Sequence, residues 1–244
     1  MIDPNESHQA VTWQEEQAAR ARHALALQIV GLISDAVSSW RSVEHCKRFS
    51  DHELNITAPV MGWMRKLAGE RGVRLNIEPE PPEWTPAILA GEADARGAAR
   101  MDLRITSYES PYEWRFVIEC KRLGGGVGAP EYVKGGVLDF VLGRYCPDHD
   151  WSAMLGYIVS SDASLWFEHV NAEIVAHELL GDQHQLYEAT DCGGPYAACS
   201  ASTHPRSCGP TITLRHTWFD LREDFAAYPP TGSSEAVGGD RTLE

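Results

Sequence analysis

No stretch of the sequence approaches the roughly 18 consecutive apolar residues that a membrane-spanning helix requires, so no membrane partner is expected. The opening Met-Ile-Asp-Pro-Asn-Glu-Ser lacks the basic and then apolar pattern of a secretory leader, and a cytoplasmic location is the expectation. Positive charge is scarce: 21 Lys and Arg stand against 35 Asp and Glu, a formal net charge of −14. Proteins that grip nucleic acid non-specifically carry a basic face, because neutralising phosphates releases counterions. Any such binding here must use a local groove, stay weak and salt-sensitive, or draw on a partner. Gly124-Gly125-Gly126-Val127-Gly128 has no Gly-Lys-Ser/Thr ending, which excludes a phosphate-cradling loop of that kind. No internal repeat is present. The tight Cys-x2-Cys knuckle of many structural zinc sites is missing as well.

The cysteines are Cys46, Cys120, Cys146, Cys192, Cys199 and Cys208, and reduced thiols are expected. Cys192, Cys199, His204 and Cys208 fall within 17 residues and invite a zinc reading. A loop rich in small residues is the favoured alternative.

What the chain does have is apolar patterning sufficient for a real core. Three parts are expected: an N-terminal helical segment over 1–48, an α/β domain over 49–228, and a disordered tail over 229–244. Leu25, Ile29, Leu32, Ile33 and Ala36 recur at helical spacing within a helix expected over 12–40. A second helix should start near Ser50 or Asp51 and be kinked or restarted by Pro59, with Gly69 and Gly72 ending it. Strands are expected over 73–78, 101–106, 114–121, 153–160 and 212–219, and helices over about 130–145 and 164–180. A loop is expected over 191–210. The order gives an α/β fold, a mixed central β-sheet flanked by helices.

The informative segment is Arg100-Met101-Asp102-Leu103-Arg104-Ile105 followed by Phe116-Val117-Ile118-Glu119-Cys120-Lys121. Strand alternation puts Glu119 and Lys121 on one face, about 7 Å apart along the strand, and Phe116, Ile118 and Cys120 on the other. A hairpin would bring Asp102 beside Glu119. Two carboxylates placed this way suit Mg²⁺, a hard cation that takes oxygen ligands and keeps several waters. A lysine beside them can orient or deprotonate an attacking water. Arg104 shares Asp102's face, where it can pair with a carboxylate or touch phosphate.

An Asp, a variable gap, and Glu-x-Lys after a hydrophobic strand resembles the signature of the restriction-endonuclease-like nucleases, over about residues 50–160. The resemblance implies a restriction-endonuclease-like core and Mg²⁺- or Mn²⁺-dependent hydrolysis of phosphodiester bonds, with DNA the expected substrate in bacterial defence or DNA processing. It implies Asp102, Glu119 and the Cys120 carbonyl as metal ligands, Lys121 as the residue that positions water, and Glu53 as a supporting acid. The following helix would carry substrate contacts through Tyr132, Lys134 and Arg144. A homodimer is implied for double-strand cutting. Asp102 departs from the pattern in following Met101 rather than proline. His216 in the last strand is a weaker echo, read as a satisfied strand histidine. The alternative left open is a nuclease-fold scaffold without catalysis, a subunit of a larger complex, working through a protein partner.

Overall fold

The computed structural model describes residues 4–42, 54–79, 101–108, 114–189 and 198–227. Two helices come first, α1 (Pro4–Arg41) and α2 (Leu54–Glu70). Pro59 neither ends nor restarts α2, which runs unbroken through it. A proline early in a helix forfeits one main-chain bond, and burial of Ile56, Val60 and Met64 offsets that loss. The far end closes as expected at the glycines. Gly72 takes φ +66°, Val73 N–H reaches Ala68 O at 2.9 Å, and Gly72 N–H reaches Gly69 O at 3.2 Å. This pair of bonds satisfies carbonyls that the helix end would leave bare.

The strands are β1 (Leu75–Pro79), β2 (Leu103–Ser107), β3 (Trp114–Leu123), β4 (Trp151–Ile158), β5 (Tyr187–Glu188), β6 (Ala198–His204) and β7 (Ile212–Asp220). They form one seven-stranded mixed sheet in the order β1-β2-β3-β4-β7-β6-β5. The centre, β3, β4 and β7, is parallel, and both arms are antiparallel. Between β3 and β4 the chain crosses over through α3, a helix built from Ala129–Tyr132, a π-helical turn Val133–Val137, and Leu138–Val141. Helix α4 (Ala163–Ala176) follows β4 and is capped by Asp162, whose Oδ1 accepts the Leu165 N–H at 2.8 Å. A short helix, α5 (Arg222–Ala227), follows β7.

Alternation along the central strands divides the core in two. Ile105, Ile118, Cys120, Leu155 and Tyr157 pack against α1 and α2, and Val117, Met154, Ile158, Leu214 and Trp218 pack against α3 and α4. The result is a three-layer α/β architecture, as the element order predicts. Helix α1 is no separate appendage in its packing: Ile29, Ile33, Ala36, Val37 and Trp40 belong to the same buried cluster as β2, β3 and β4.

Two expectations are corrected here. The segment expected as loop over 191–210 contains β6, whose small and polar residues carry no apolar alternation and which exists because β7 offers it a full antiparallel ladder. The thiols are also not all reduced. Cys120, Cys146 and Cys208 are free, and Cys199 is disulfide-bonded. Residues 1–3, 43–53, 80–100, 109–113, 190–197 and 228–244, and with them Glu53, Cys192, the start expected for α2 and the expected tail, lie outside the described residues.

Candidate active site

Strand β3 is the axis of the site. Its register against β2 sets Leu103 opposite Ile118, which leaves Asp102, one residue before β2, next to Glu119 and Cys120. Where the β2 main chain stops pairing, the Asp102 side chain continues the ladder: Oδ2 accepts the Cys120 N–H at 2.7 Å. Glu119 and Lys121 point to the α3 face as alternation requires. They are 4% and 8% exposed, and Lys121 Nζ donates to Glu119 Oε1 at 2.5 Å. A charge pair this dry is costly unless it is closely bonded, and this one is. The Cys120 side chain turns the other way, into the α1–α2 core, where Tyr157 Oη–H meets its Sγ at 3.8 Å. Burial pushes its thiol well above the usual range.

The π-turn of α3 lies directly over the pair. A methyl group on Gly136 would overlap Met154 Cε and stand 3.8 Å from Glu119 Cγ. One on Gly135 would stand 3.4 Å from Glu131 Oε1 and 3.6 Å from Lys121 Cε. Two consecutive glycines therefore let helix main chain approach the acid and the lysine closely, and Glu131 and Lys121 both border Gly135. Turns of this kind recur at functional sites. Tyr145 completes the surroundings: burial first, and then the Glu119, Asp139 and Asp102 carboxylates, push its phenol up and keep it protonated. Glu131 and Tyr145 were not singled out from sequence. Their only signal was position, Glu131 in the first turn of α3 and Tyr145 four residues past its end.

The remaining expected residues are distributed differently. Arg104 is bonded across the strands to Glu78, Nη2 to Oε2 at 2.6 Å, and this guanidinium lowers the Glu78 carboxyl. Lys134 pairs with Glu173 of α4 at 3.4 Å, and Arg144 pairs with Asp139 at 2.7 Å. Tyr132, expected among the substrate contacts, is fully buried.

Tyr132 belongs instead to a buried hydrogen-bonded chain. Trp218 Nε1 donates to Tyr132 Oη at 3.0 Å, and Tyr132 Oη meets His216 Nδ1 at 2.8 Å. His216 Nε2 meets Ser202 Oγ at 2.7 Å, and Ser202 Oγ meets His204 Nε2 at 2.6 Å. His204 Nδ1 meets His184 Nδ1 at 2.7 Å, the two rings stacked 5.0 Å apart. An indole N–H only donates, so Tyr132 accepts from Trp218 and donates its own O–H to His216 Nδ1. The direction is then set throughout: His216 donates to Ser202, Ser202 to His204, and His204 to His184. Run the other way, the chain would leave the Tyr132 hydroxyl hydrogen buried with neither of these partners to take it. All three histidines are neutral in this arrangement, in keeping with the burial that lowers each. The chain also holds the Trp218 indole over Gly156, the β4 residue in register with Lys121 on one side and Trp218 on the other.

As donors for a metal, Asp102, Glu119 and the main chain at Cys120 fit a hard cation that keeps several waters. Among the described residues no three His, Cys, Asp or Glu side chains gather into a metal-holding group. Two carboxylates alone would leave water to supply the remaining ligands of such an ion. Zinc does not fit at 192–208. Cys199 is disulfide-bonded, both His204 nitrogens are engaged, and Cys208 Sγ donates to Leu142 O at 3.4 Å. Comparison with known families, curated proteins and solved structures gave no match to this chain.

Proposed function

We propose that this protein is a metal-dependent nuclease with a restriction-endonuclease-like core, hydrolysing phosphodiester bonds in DNA. The observation that carries the reading is that Asp102, tied to the Cys120 N–H, stands on the strand beside the one that carries the bonded Glu119–Lys121 pair. The local order also supports it: an antiparallel β1-β2-β3 meander, a crossover through α3, and β4 parallel to β3.

In this reading Asp102, Glu119 and the Cys120 carbonyl hold Mg²⁺ or Mn²⁺, with Glu53 as the supporting acid. The ion would polarise the phosphoryl oxygen and lower the pKa of bound water. Lys121 leaves Glu119 to orient the attacking water and to offset charge building on phosphorus. Protonated Tyr145 can donate a hydrogen bond to a phosphate oxygen, and the buried Glu119–Lys121 pair excludes bulk water. Two copies acting together would cut both strands. A second reading, a nuclease-fold scaffold without catalysis, draws on the closed Lys121–Glu119 bond and the lack of a three-ligand group among the described residues.

The test is a panel of supercoiled, linear, single-stranded and RNA substrates incubated at low salt with Mg²⁺ or Mn²⁺. Cutting that needs the metal and disappears in Lys121→Ala establishes the nuclease. A folded protein inert on every substrate favours the scaffold.

A further inference from the structure

A cleft of about 630 Å³ opens between α1 and the first residues of β3, β4 and β7. It is remote from the acid–lysine pair. Arg115 lies in its wall, and Lys121 is six residues further along the same strand, about 20 Å away. Phe116, also in the wall, belongs to the α1–α2 face, opposite to Glu119 and Lys121. We infer that this cleft is a second site, one that binds a neutral heteroaromatic molecule of nucleoside size. The inference stands independently of the nuclease reading.

Size sets the first bound, because pockets for small ligands span roughly 300–1,000 Å³. The walls set the second. Phe116 and Trp151 stand 4.5 Å apart, tilted by 37°, and Trp114 lies alongside them. Aromatic walls of this kind favour a flat ring. Charge sets the third. Arg22 is paired with Asp150 at 3.0 Å, and Arg115 is matched by Asp148 in the lining, so the formal charges cancel. Burial and then nearby Arg115 lower His149 and keep its imidazole neutral. A polyphosphate would need an excess of cations that this lining does not supply. A purely aliphatic ligand would set a lining that includes His149, Thr211 and Thr213 against carbon. A flat ring with a polar, uncharged edge meets all three conditions, as a nucleoside or its free base does.

The cleft is also preformed. Arg206 holds the 146–149 turn by donating to Cys146 O at 3.0 Å, Pro147 O at 3.0 Å and His149 O at 2.5 Å. Thr213 N–H fixes Asp150 O at 2.9 Å. A site held this way loses little conformational freedom on binding.

Isothermal titration of the full chain with adenosine, guanosine, cytidine and uridine tests the inference, with ATP as the charged comparison. At least one nucleoside is expected to bind with Kd below about 1 mM, and ATP about tenfold or more weaker. His149→Ala, which removes the polar edge, and Ala18→Trp, which fills the cleft from α1, should each weaken binding about tenfold, with circular dichroism unchanged. No saturable binding of any nucleoside overturns the inference. So does binding that survives both substitutions, or ATP binding as tightly as the nucleosides.

Discussion

Asp102 Oδ2 accepts the Cys120 main-chain N–H at 2.7 Å, so a side chain takes over the β2–β3 ladder at the point where the β2 main chain leaves it. One carboxylate oxygen is committed to architecture, and in the proposed nuclease the same carboxylate would also serve the metal. Stability and activity should therefore separate at this residue. Asp102→Ala strips the bond and should cost about 1–3 kcal/mol in urea unfolding. Asp102→Asn keeps an acceptor for Cys120 and should lose less than half of that. Both should abolish cleavage. Equal destabilisation by the two substitutions would show that the bond to Cys120 does not matter.

The glycines around Lys121 differ in what opposes them. A methyl group on Gly156 would run into the Trp218 indole, which Tyr132 holds in place. Gly156→Ala should cost about 1–3 kcal/mol through overpacking and should lower activity, since Gly156 is in register with Lys121 on the neighbouring strand. On Gly136 the obstacle is the free end of Met154, which can swing aside. Gly136→Ala should cost less than half as much in thermal or urea unfolding. The reverse order would mean that the indole yields more readily than its bonding implies.

The buried histidine chain predicts an acid-side loss of stability. Burial, then nearby His184 and Arg206, lowers His204 to about 3. Burial, then His204 and Arg215, lowers His216 well below its ordinary value, and burial alone lowers His184. A histidine lowered in the folded state costs nothing above pH 6.5, where both states are neutral. Below that, the unfolded chain takes up protons that the fold refuses, and stability falls until the folded-state value is reached. Each histidine that stays neutral removes about 1.4 kcal/mol per pH unit. Urea midpoints should be flat from pH 8 to 7 and drop steadily from pH 6.5 to 5. Replacing His204 by Phe should flatten that slope, whatever it does to the midpoint at pH 7.

Arg206 predicts a large effect from an unremarkable position. Its guanidinium bonds the carbonyls of Cys146, Pro147, His149 and Pro210 and reaches Phe140 O near the end of α3. Arg206→Ala should cost at least about 2 kcal/mol by urea unfolding, because several part-buried carbonyls lose a charged donor at once. Arg206→Lys should recover little, since an ammonium lacks the planar fork. A cost near zero would mean that water replaces the guanidinium freely.

The parts legible in the sequence were those with strong periodicity. The apolar spacing of Leu25, Ile29, Leu32 and Ile33 announced α1, and the alternation through Phe116, Ile118 and Cys120 fixed which face Glu119 and Lys121 share. What stayed hidden depended on partners distant in the chain. Ser200, Ser202 and His204 form a polar stripe only because β6 pairs with β7, and nothing in Ala198–His204 favours a strand by itself. Tyr132 was legible and misassigned. It continues the stripe of Val133, Gly136, Val137 and Phe140 at three- and four-residue spacing, the mark of a core position. Glu131 and Tyr145 became visible only once the π-turn brought α3 onto β3.

The central claim is that Lys121 does chemistry beside a metal held by Asp102 and Glu119. Its most direct test measures Mn²⁺ binding and DNA cleavage on the same preparations of wild type, Lys121→Met, and the Asp102→Asn/Glu119→Gln double variant. The account predicts that the double variant loses both, and that Lys121→Met binds Mn²⁺ normally and cleaves at least about 100-fold more slowly. Cleavage by Lys121→Met at the wild-type rate, or Mn²⁺ binding that persists in the double variant, would contradict it.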